Sequence, residues 1–326
     1  MMGEKQPYDV AVIGAGGAGQ MAMLRAVLNH LRTLVFLGDK DTTRRSRAAW
    51  VLEVENIPGM FGKKRPITAT TREVIRFIEK REDLEPFLTT IKRSVGSIRR
   101  VDEQFEISTG EETYRARFVV LCTGTMDVQP EIGGSIEPVF PFANREEILY
   151  CVRCDGHKTV GQPCAVIGHR PVAGWIAVML KERYDLPQLY VLTHGREFEG
   201  DQRLKDLLKR YEIRILTDEI VEILGEPKKA LEGFRVGEQI VEVPRAFVAM
   251  GSIVYNELAK QLGVQLSENE HITTGARGET SVPGFYAAGD LVESRKKQVY
   301  TAWDMAVDAV DSIDGKIREL KREGRY

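Results

Sequence analysis

Residues 10–19 read VAVIGAGGAG: a short apolar run from Val10 to Ile13, then glycines at 14, 16 and 19 in the spacing G-x-G-x-x-G. The residues that follow, MAMLRAVLNHL, carry their apolar side chains at helical period. A strand before the glycines and a helix after them is the context that gives this spacing physical meaning. Gly14 permits a tight turn, Gly16 lets the backbone approach a pyrophosphate, and Gly19 lets the helix pack on the strand, while the helix N-terminus faces the phosphates. Gly14, Gly16 and Gly19 are therefore cofactor-binding candidates. A second strand, TLVFL from Thr33 to Leu37, follows. Asp39 is the nearest acidic residue to its end and the candidate for binding a ribose.

Working outward, the chain repeats this plan. After alternating segments at SIRRV, QFEIS and TYRARF, which predict a small antiparallel meander, comes the apolar strand VVLCTG ending at Gly124. A second start then appears at CAVIG (Cys164–Gly168), followed by a helix through AGWIAVMLKERY, a strand QLYVLT and a helix through QRLKDLLKRY. Short strands near IRILT, IVEIL, EGFRV and IVEV close on AFVAMG at Gly251. The fold class is α/β: two Rossmann-like dinucleotide-binding domains, each with an inserted antiparallel meander. The tail continues to VPGFYAAGD and an amphipathic helix, VYTAWDMAVDAVDSI, with Val299, Ala302, Trp303, Ala306, Val307 and Val310 on one stripe. It carries too little for a third unit, so it returns to the first. The first domain is then discontinuous, 1–127 and 252–326, and the second spans 128–251.

With 46 basic and 48 acidic residues, the formal net charge is -2, and no global field draws the chain to nucleic acid or anionic lipid. No run approaches the length of a membrane span, and the first residues lack the pattern of a secretory signal. The expectation is a cytoplasmic protein acting on small molecules or proteins, with no nucleic-acid or membrane partner. Four cysteines are too few for a stapled secreted scaffold.

Two of the four, Cys151 and Cys154, sit in YCVRCDG as a CxxC pair. Such a pair closes reversibly because both sulfurs lie on one short turn, and the attacking species is the thiolate, which Arg153 would favour by charge. Half of a zinc site is the competing reading, but it needs two more ligands at sensible spacing and none occurs, so no metal is expected. Cys122 and Cys164 lie inside apolar strands and read as small core residues.

In this order of motifs the chain resembles the low-molecular-weight thioredoxin reductases, FAD-dependent disulfide reductases, over essentially its whole length. Beside GAGGAG and YCVRCDG, the segment EVENIPG (Glu53–Gly59) is similar to a flavin-side loop of that family. VPGFYAAGDL (Val282–Leu291) resembles its C-terminal FAD signature, and KQVYTA (Lys297–Ala302) the segment closing over the flavin. The resemblance implies FAD in the discontinuous domain, bound with the help of Gly289, Asp290, Lys297 and Gln298; Asn56 either faces the flavin or caps its loop. It further implies that Cys154 takes electrons from the flavin, Cys151 attacks the substrate disulfide, and Asp155 handles the proton of the leaving thiol. The family's partner is a thioredoxin-like protein, and the family is commonly a homodimer.

One motif departs from the pattern. The family carries GxGxxA and a basic cluster for NADPH in its second domain, whereas this chain reads GHRPVA. Gly168 and Ala173 remain, but Arg170 projects a side chain where a backbone should approach a pyrophosphate, and Pro171 removes an N–H. After the next strand HGRE keeps His194 and Arg196, while Gly195 lacks a cation and Glu197 and Glu199 add repulsive charge. This disfavours NAD(P)H and points to ferredoxin or another low-potential electron donor, or to reversed flow in which thiols are oxidised and oxygen is the acceptor. A non-turnover FAD redox sensor is the alternative outside catalysis, and the intact Cys151, Cys154 and Asp155 argue against it. The basic run Lys40–Arg47 is either a docking patch for an acidic carrier or a solvated loop.

Overall fold

The computed structural model describes residues 6–39, 45–60, 66–294 and 296–326. Its first strand, β1 (Tyr8–Ile13), passes through the glycine loop into α1 (Gly17–Leu28) and returns as β2 (Thr33–Phe36). The two strands pair in parallel, Val10 opposite Thr33 and Ile13 opposite Phe36, as a helical crossover requires. After α2 (Ile67–Glu79), β3 (Leu88–Ile91) joins the outer side of β2, also in parallel. The predicted meander follows as β4 (Ser97–Val101), β5 (Gln104–Ser108) and β6 (Thr113–Leu121). The nine residues of β6 serve two pairings: Thr113–Ala116 lies antiparallel to β5, and Ala116–Leu121 lies parallel to β1.

After β7 (Thr125–Asp127) the chain builds a second unit from α3 (Phe140–Ala143), β8 (Ile148–Leu149), α4 (Val152–Asp155), β9 (Cys164–Ile167) and α5 (Pro171–Arg183). It continues with β10 (Leu189–Leu192), α6 (Gln202–Arg210) and β11 (Arg214–Leu216). An antiparallel meander of β12 (Ile220–Glu226), β13 (Ala230–Val236) and β14 (Gln239–Glu242) precedes the returning β15 (Arg245–Val248). The five strands of its main sheet run parallel in the order β11-β10-β9-β15-β8. β9 and β10 are buried at every position, as the near-continuous apolar runs CAVI and LYVL dictate for a sheet covered on both faces. Asp201 starts α6 by accepting a hydrogen bond from the Leu204 amide at 2.8 Å.

The chain crosses back through β16 (Ser252–Val254) to α7 (Glu257–Gln261), β17 (Phe285–Ala287) and α8 (Val299–Arg322). β17 pairs in parallel with β6, Phe285 opposite Val119, so the tail completes the first sheet. The buried stripe of α8 runs through Ala302, Ala306, Ala309, Val310, Ile313 and Ile317. Trp303 and Val307, expected on that stripe, lie at its half-buried edge, and the helix continues well past Ile313. Arg25 of α1 forks onto Asp311 of α8, Nε to Oδ1 at 2.6 Å and Nη2 to Oδ2 at 2.8 Å.

The chain divides into two compact units, one of 1–48, 65–126 and 254–326, the other of 49–64 and 127–253. This differs from the division read from the sequence in that 49–64, together with residue 127 and residues 252–253, groups with the second unit. Trp50 shows the cause, since its buried ring packs 5.0 Å from that of Phe140 and 5.9 Å from that of Tyr150. Of the basic run at 40–47, residues 40–44 lie outside the described residues.

Candidate active site

In the second unit, Cys151 ends an extended stretch and serves as N-cap of the single-turn helix α4, so that both cysteines fall on one turn. They are joined by a disulfide with Cα atoms 5.3 Å apart. The Cys151 sulfur accepts the Cys154 amide at 3.2 Å, and the Cys151 carbonyl accepts the amides of Cys154 and Asp155 at 3.0 and 2.9 Å. A Cβ at Gly156 would lie 2.7 Å from the Tyr184 ring, so any larger residue there must displace that ring. Both cysteines are half-buried and Arg153 is exposed, which leaves its charge to the solvent's screening.

The 49–60 segment supplies what spacing along the chain did not reveal. Asn56 donates its amide N–H to the Cys154 sulfur at 3.4 Å. Glu55, beside it, pairs with His157 and with Lys158, each at 3.3 Å. Lys158 also reaches Glu146 at 2.8 Å and Asp155 at 3.5 Å. Burial pushes the Asp155 carboxyl above its usual range and Glu146 pushes it further, while Lys158 and His157 pull it down. An acid that keeps its proton more readily than an exposed aspartate is suited to protonating a leaving thiolate. Lys158 and Glu146 were missed in the sequence; the i,i+3 spacing from Asp155 to Lys158 was the available signal.

The second unit's glycine loop lies between β9 and α5. Gly168 is held by close approach, since a Cβ would lie 2.5 Å from the Ala249 carbonyl oxygen and 3.1 Å from the Ala173 methyl. Arg170 then occupies the N-cap of α5 with an exposed side chain, and Pro171 takes the first helical position. His169 is buried, and burial together with Arg196 and Arg170 holds its pKa below the usual imidazole value despite Glu199. The His194 Nδ1 accepts the Ile220 amide at 3.1 Å, which commits one face of that ring to the backbone.

In the first unit the other glycine loop forms an open cradle. A Cβ at Gly14 (φ 99°) would lie 2.5 Å from the Cys122 carbonyl oxygen, and one at Gly19 would lie 1.9 Å from the Gly14 oxygen. At Gly16, the N-cap of α1, a Cβ would meet nothing within 4 Å. Two glycines are thus demanded by packing, while the middle one faces space at a helix N-terminus with no acidic residue in its first turn. That arrangement fits the pyrophosphate of a dinucleotide. Gly289 (φ 96°) approaches the first turn of α1, a Cβ there lying 3.0 Å from the Ala18 methyl. Val299 at the start of α8 would lie 3.8 Å from a Cβ on Gly17, so Gln298, capped reciprocally with Thr301, sits beside the same cradle. The Lys297 ammonium donates to the carbonyls of Asp290, at 2.8 Å, and Val292. Gly14, Gly16, Gly19, Gly289 and Gln298 are brought together, with Asp290 and Lys297 alongside. Asp39 accepts the Ser94 amide at 3.1 Å, and Asn56 donates to the Cys154 sulfur in the other unit. Cys122 and Cys164 are buried free thiols, as expected of core residues.

Comparison with known proteins agrees with this reading. Residues 8–306 match the family described as Pyridine nucleotide-disulphide oxidoreductase. The thioredoxin reductase of Mycoplasmopsis pulmonis is 29% identical over 324 residues, covering 98% of this chain and 100% of its own. A ferredoxin–NADP reductase of Picrophilus torridus is 26% identical over 302 residues, covering 88% of this chain and 86% of its own. The crystal structure of thioredoxin reductase from Streptococcus pyogenes superposes with a TM-score of 0.80 at 20% identity, covering 96% and 98% of the two chains. With the strand orders, the glycine cradle and the cysteine pair, these matches place the chain in the pyridine nucleotide-disulphide oxidoreductase family as a thioredoxin-reductase-like oxidoreductase.

Proposed function

We propose that this protein is an FAD-dependent disulfide reductase that passes two electrons through Cys151 and Cys154 to a thioredoxin-like protein, and that it does not take them from NADPH by the family's usual route. The observation that carries the proposal is the contrast between the two glycine loops: Gly16 opens onto free space, whereas Arg170 and Pro171 occupy the corresponding turn of the second unit. Bound FAD would supply the reducing equivalents for the Cys151–Cys154 disulfide, with Gly14, Gly16, Gly19, Gly289, Asp290 and Gln298 holding it.

The chain's own residues account for the rest. Cys151, as thiolate, attacks one sulfur of the substrate disulfide and forms a mixed disulfide. Cys154, held by the Asn56 amide, attacks Cys151 and closes the internal disulfide. Asp155 gives its proton to the departing thiolate. A thioredoxin-like acceptor lies near about -270 mV, and each ~30 mV of mismatch costs about 1.4 kcal/mol, so the electron donor must be comparably reducing. Ferredoxin meets that requirement. A homodimer in the cytoplasm is the setting the family resemblance suggests. The altered loop favours one second reading, a thiol oxidase with oxygen as acceptor; anaerobic reduction by a dithiol followed by rapid reoxidation in air would select it.

The test is a single turnover of the reduced FAD-loaded protein with an oxidised thioredoxin. The wild type should release reduced thioredoxin, and Cys154→Ser should stop at a mixed disulfide on Cys151. A Cys154→Ser protein that completes the transfer would sink the mechanism.

A further inference from the structure

Around Asp155 the second unit gathers more charge than a turn residue needs. Lys158 has a side chain only 12% exposed and lies within ion-pairing reach of Asp155, Glu146 and Glu55. The ammonium lies 2.8 Å from Glu146, 3.3 Å from Glu55 and 3.5 Å from Asp155, so one charge faces all three carboxylates. Glu146 enters it from the loop after α3 with a left-handed backbone (φ 60°), a conformation uncommon for a residue with a side chain. Glu55 enters from the 49–60 segment, and His157, itself 56% exposed, touches Glu55 at 3.3 Å. Three carboxylates thus converge on one buried cation, with an imidazole at the rim. Such a cluster is electrostatically costly unless the cation is kept, and one carboxylate directly follows the redox pair.

We propose that Lys158 is a positioning residue for disulfide reduction, whose buried ammonium binds Asp155 together with Glu146 and Glu55 and so governs when the Asp155 carboxyl holds its proton. The inference rests on the reading of Asp155 as the acid. In the step concerned, the Cys154 thiolate attacks the Cys151 sulfur of the mixed disulfide. The bond from Cys151 to the substrate sulfur breaks, the Cys151–Cys154 bond forms, and the departing thiolate takes the Asp155 proton. Two protein thiols are oxidised to a disulfide and one substrate disulfide is reduced to two thiols. Lys158 and His157 lower the proton affinity of Asp155, whereas its burial and Glu146 raise it. Removing Lys158 therefore leaves Asp155 protonated to higher pH, and removing the Glu146 charge does the opposite.

The experiment uses the FAD-loaded protein reduced anaerobically with a dithiol, desalted, and mixed with hydroxyethyl disulfide, whose leaving thiol needs a proton. Rates are followed against pH for wild type, Asp155→Asn, Lys158→Met, Lys158→Arg and Glu146→Gln. A second disulfide, dithiobis(nitrobenzoate), whose leaving thiolate needs no proton, serves as control. The expected result is an alkaline fall in the wild-type rate that Asp155→Asn abolishes. Lys158→Met should move it up by about 1 pH unit, Lys158→Arg should restore it, and Glu146→Gln should move it down. None of these changes should appear with the aromatic disulfide. A fall that Asp155→Asn abolishes but that stays in place in both Lys158→Met and Glu146→Gln overturns the role of Lys158 while sparing Asp155. A fall that survives in Asp155→Asn overturns the acid itself, and the inference with it. If Lys158→Met does not fold, Glu146→Gln and Lys158→Arg still decide.

Discussion

A sulfur that accepts an amide N–H ionises more readily than one surrounded by hydrocarbon, and the four cysteines divide on that line. Cys154 has the Asn56 amide at 3.4 Å. Replacing Asn56 with Ala removes a hydrogen bond of about 0.5–1.5 kcal/mol, so the Cys154 thiol should titrate higher by up to about one pH unit. Thiolate absorbance of the reduced protein against pH measures it, and an unchanged titration would deny Asn56 that role. Cys122 and Cys164 are the other case: burial alone pushes the Cys122 thiol far up, and burial sets Cys164 at about 12. After reduction, iodoacetamide should label Cys151 and Cys154 in the native protein, and Cys122 and Cys164 only after unfolding, as peptide mass mapping would show. The cysteine pair and Asp155 were legible because they adjoin in the chain. The Asn56 contact was not, because its partners stand 98 residues apart and only the fold of the 49–60 segment joins them.

At the scale of elements, alternation and glycine spacing carry most of the information. The strands VAVI and CAVI, the meanders and the return of the tail to the first sheet could all be read, because each rests on a local period that burial then enforces. The placement of 49–64 could not, since it depends on where Trp50 finds aromatic neighbours rather than on any period. Likewise the buried stripe of α8 runs through Ala309 and Ile313, with Trp303 and Val307 at its half-buried edge. The glycine loop itself yields a paired prediction. Gly19→Ala places a Cβ 1.9 Å from the Gly14 oxygen, which should destabilise the flavin-free protein by about 1–3 kcal/mol or more in urea unfolding. Gly16→Ala meets nothing within 4 Å and should leave that midpoint in place while weakening FAD binding in titration. Equal FAD affinity in Gly16→Ala would contradict the assignment of this cradle. In the second unit, Asp201→Ala removes the cap of α6 and should cost about 1 kcal/mol.

Over the whole molecule, two units each carry a glycine loop between a strand and a helix, and the two loops differ in their residues. In the first, a Cβ at Gly14 or Gly19 would clash, whereas one at Gly16 would meet nothing within 4 Å. The second keeps a glycine that packing demands, Gly168, and begins its helix with Arg170 at the N-cap and Pro171, which has no N–H to offer. In the same unit Cys151, Cys154 and Asp155 stand on one turn, with Asn56 donating to the Cys154 sulfur and Lys158 paired with Asp155. The proposal of disulfide reduction with an electron donor other than NADPH rests on that combination. Its most direct test is anaerobic mixing of the FAD-loaded protein with NADPH and, separately, with reduced ferredoxin, following loss of the flavin's visible absorbance. The account predicts rapid bleaching by reduced ferredoxin and slow, incomplete bleaching by NADPH. Rapid, stoichiometric bleaching by micromolar NADPH would contradict it.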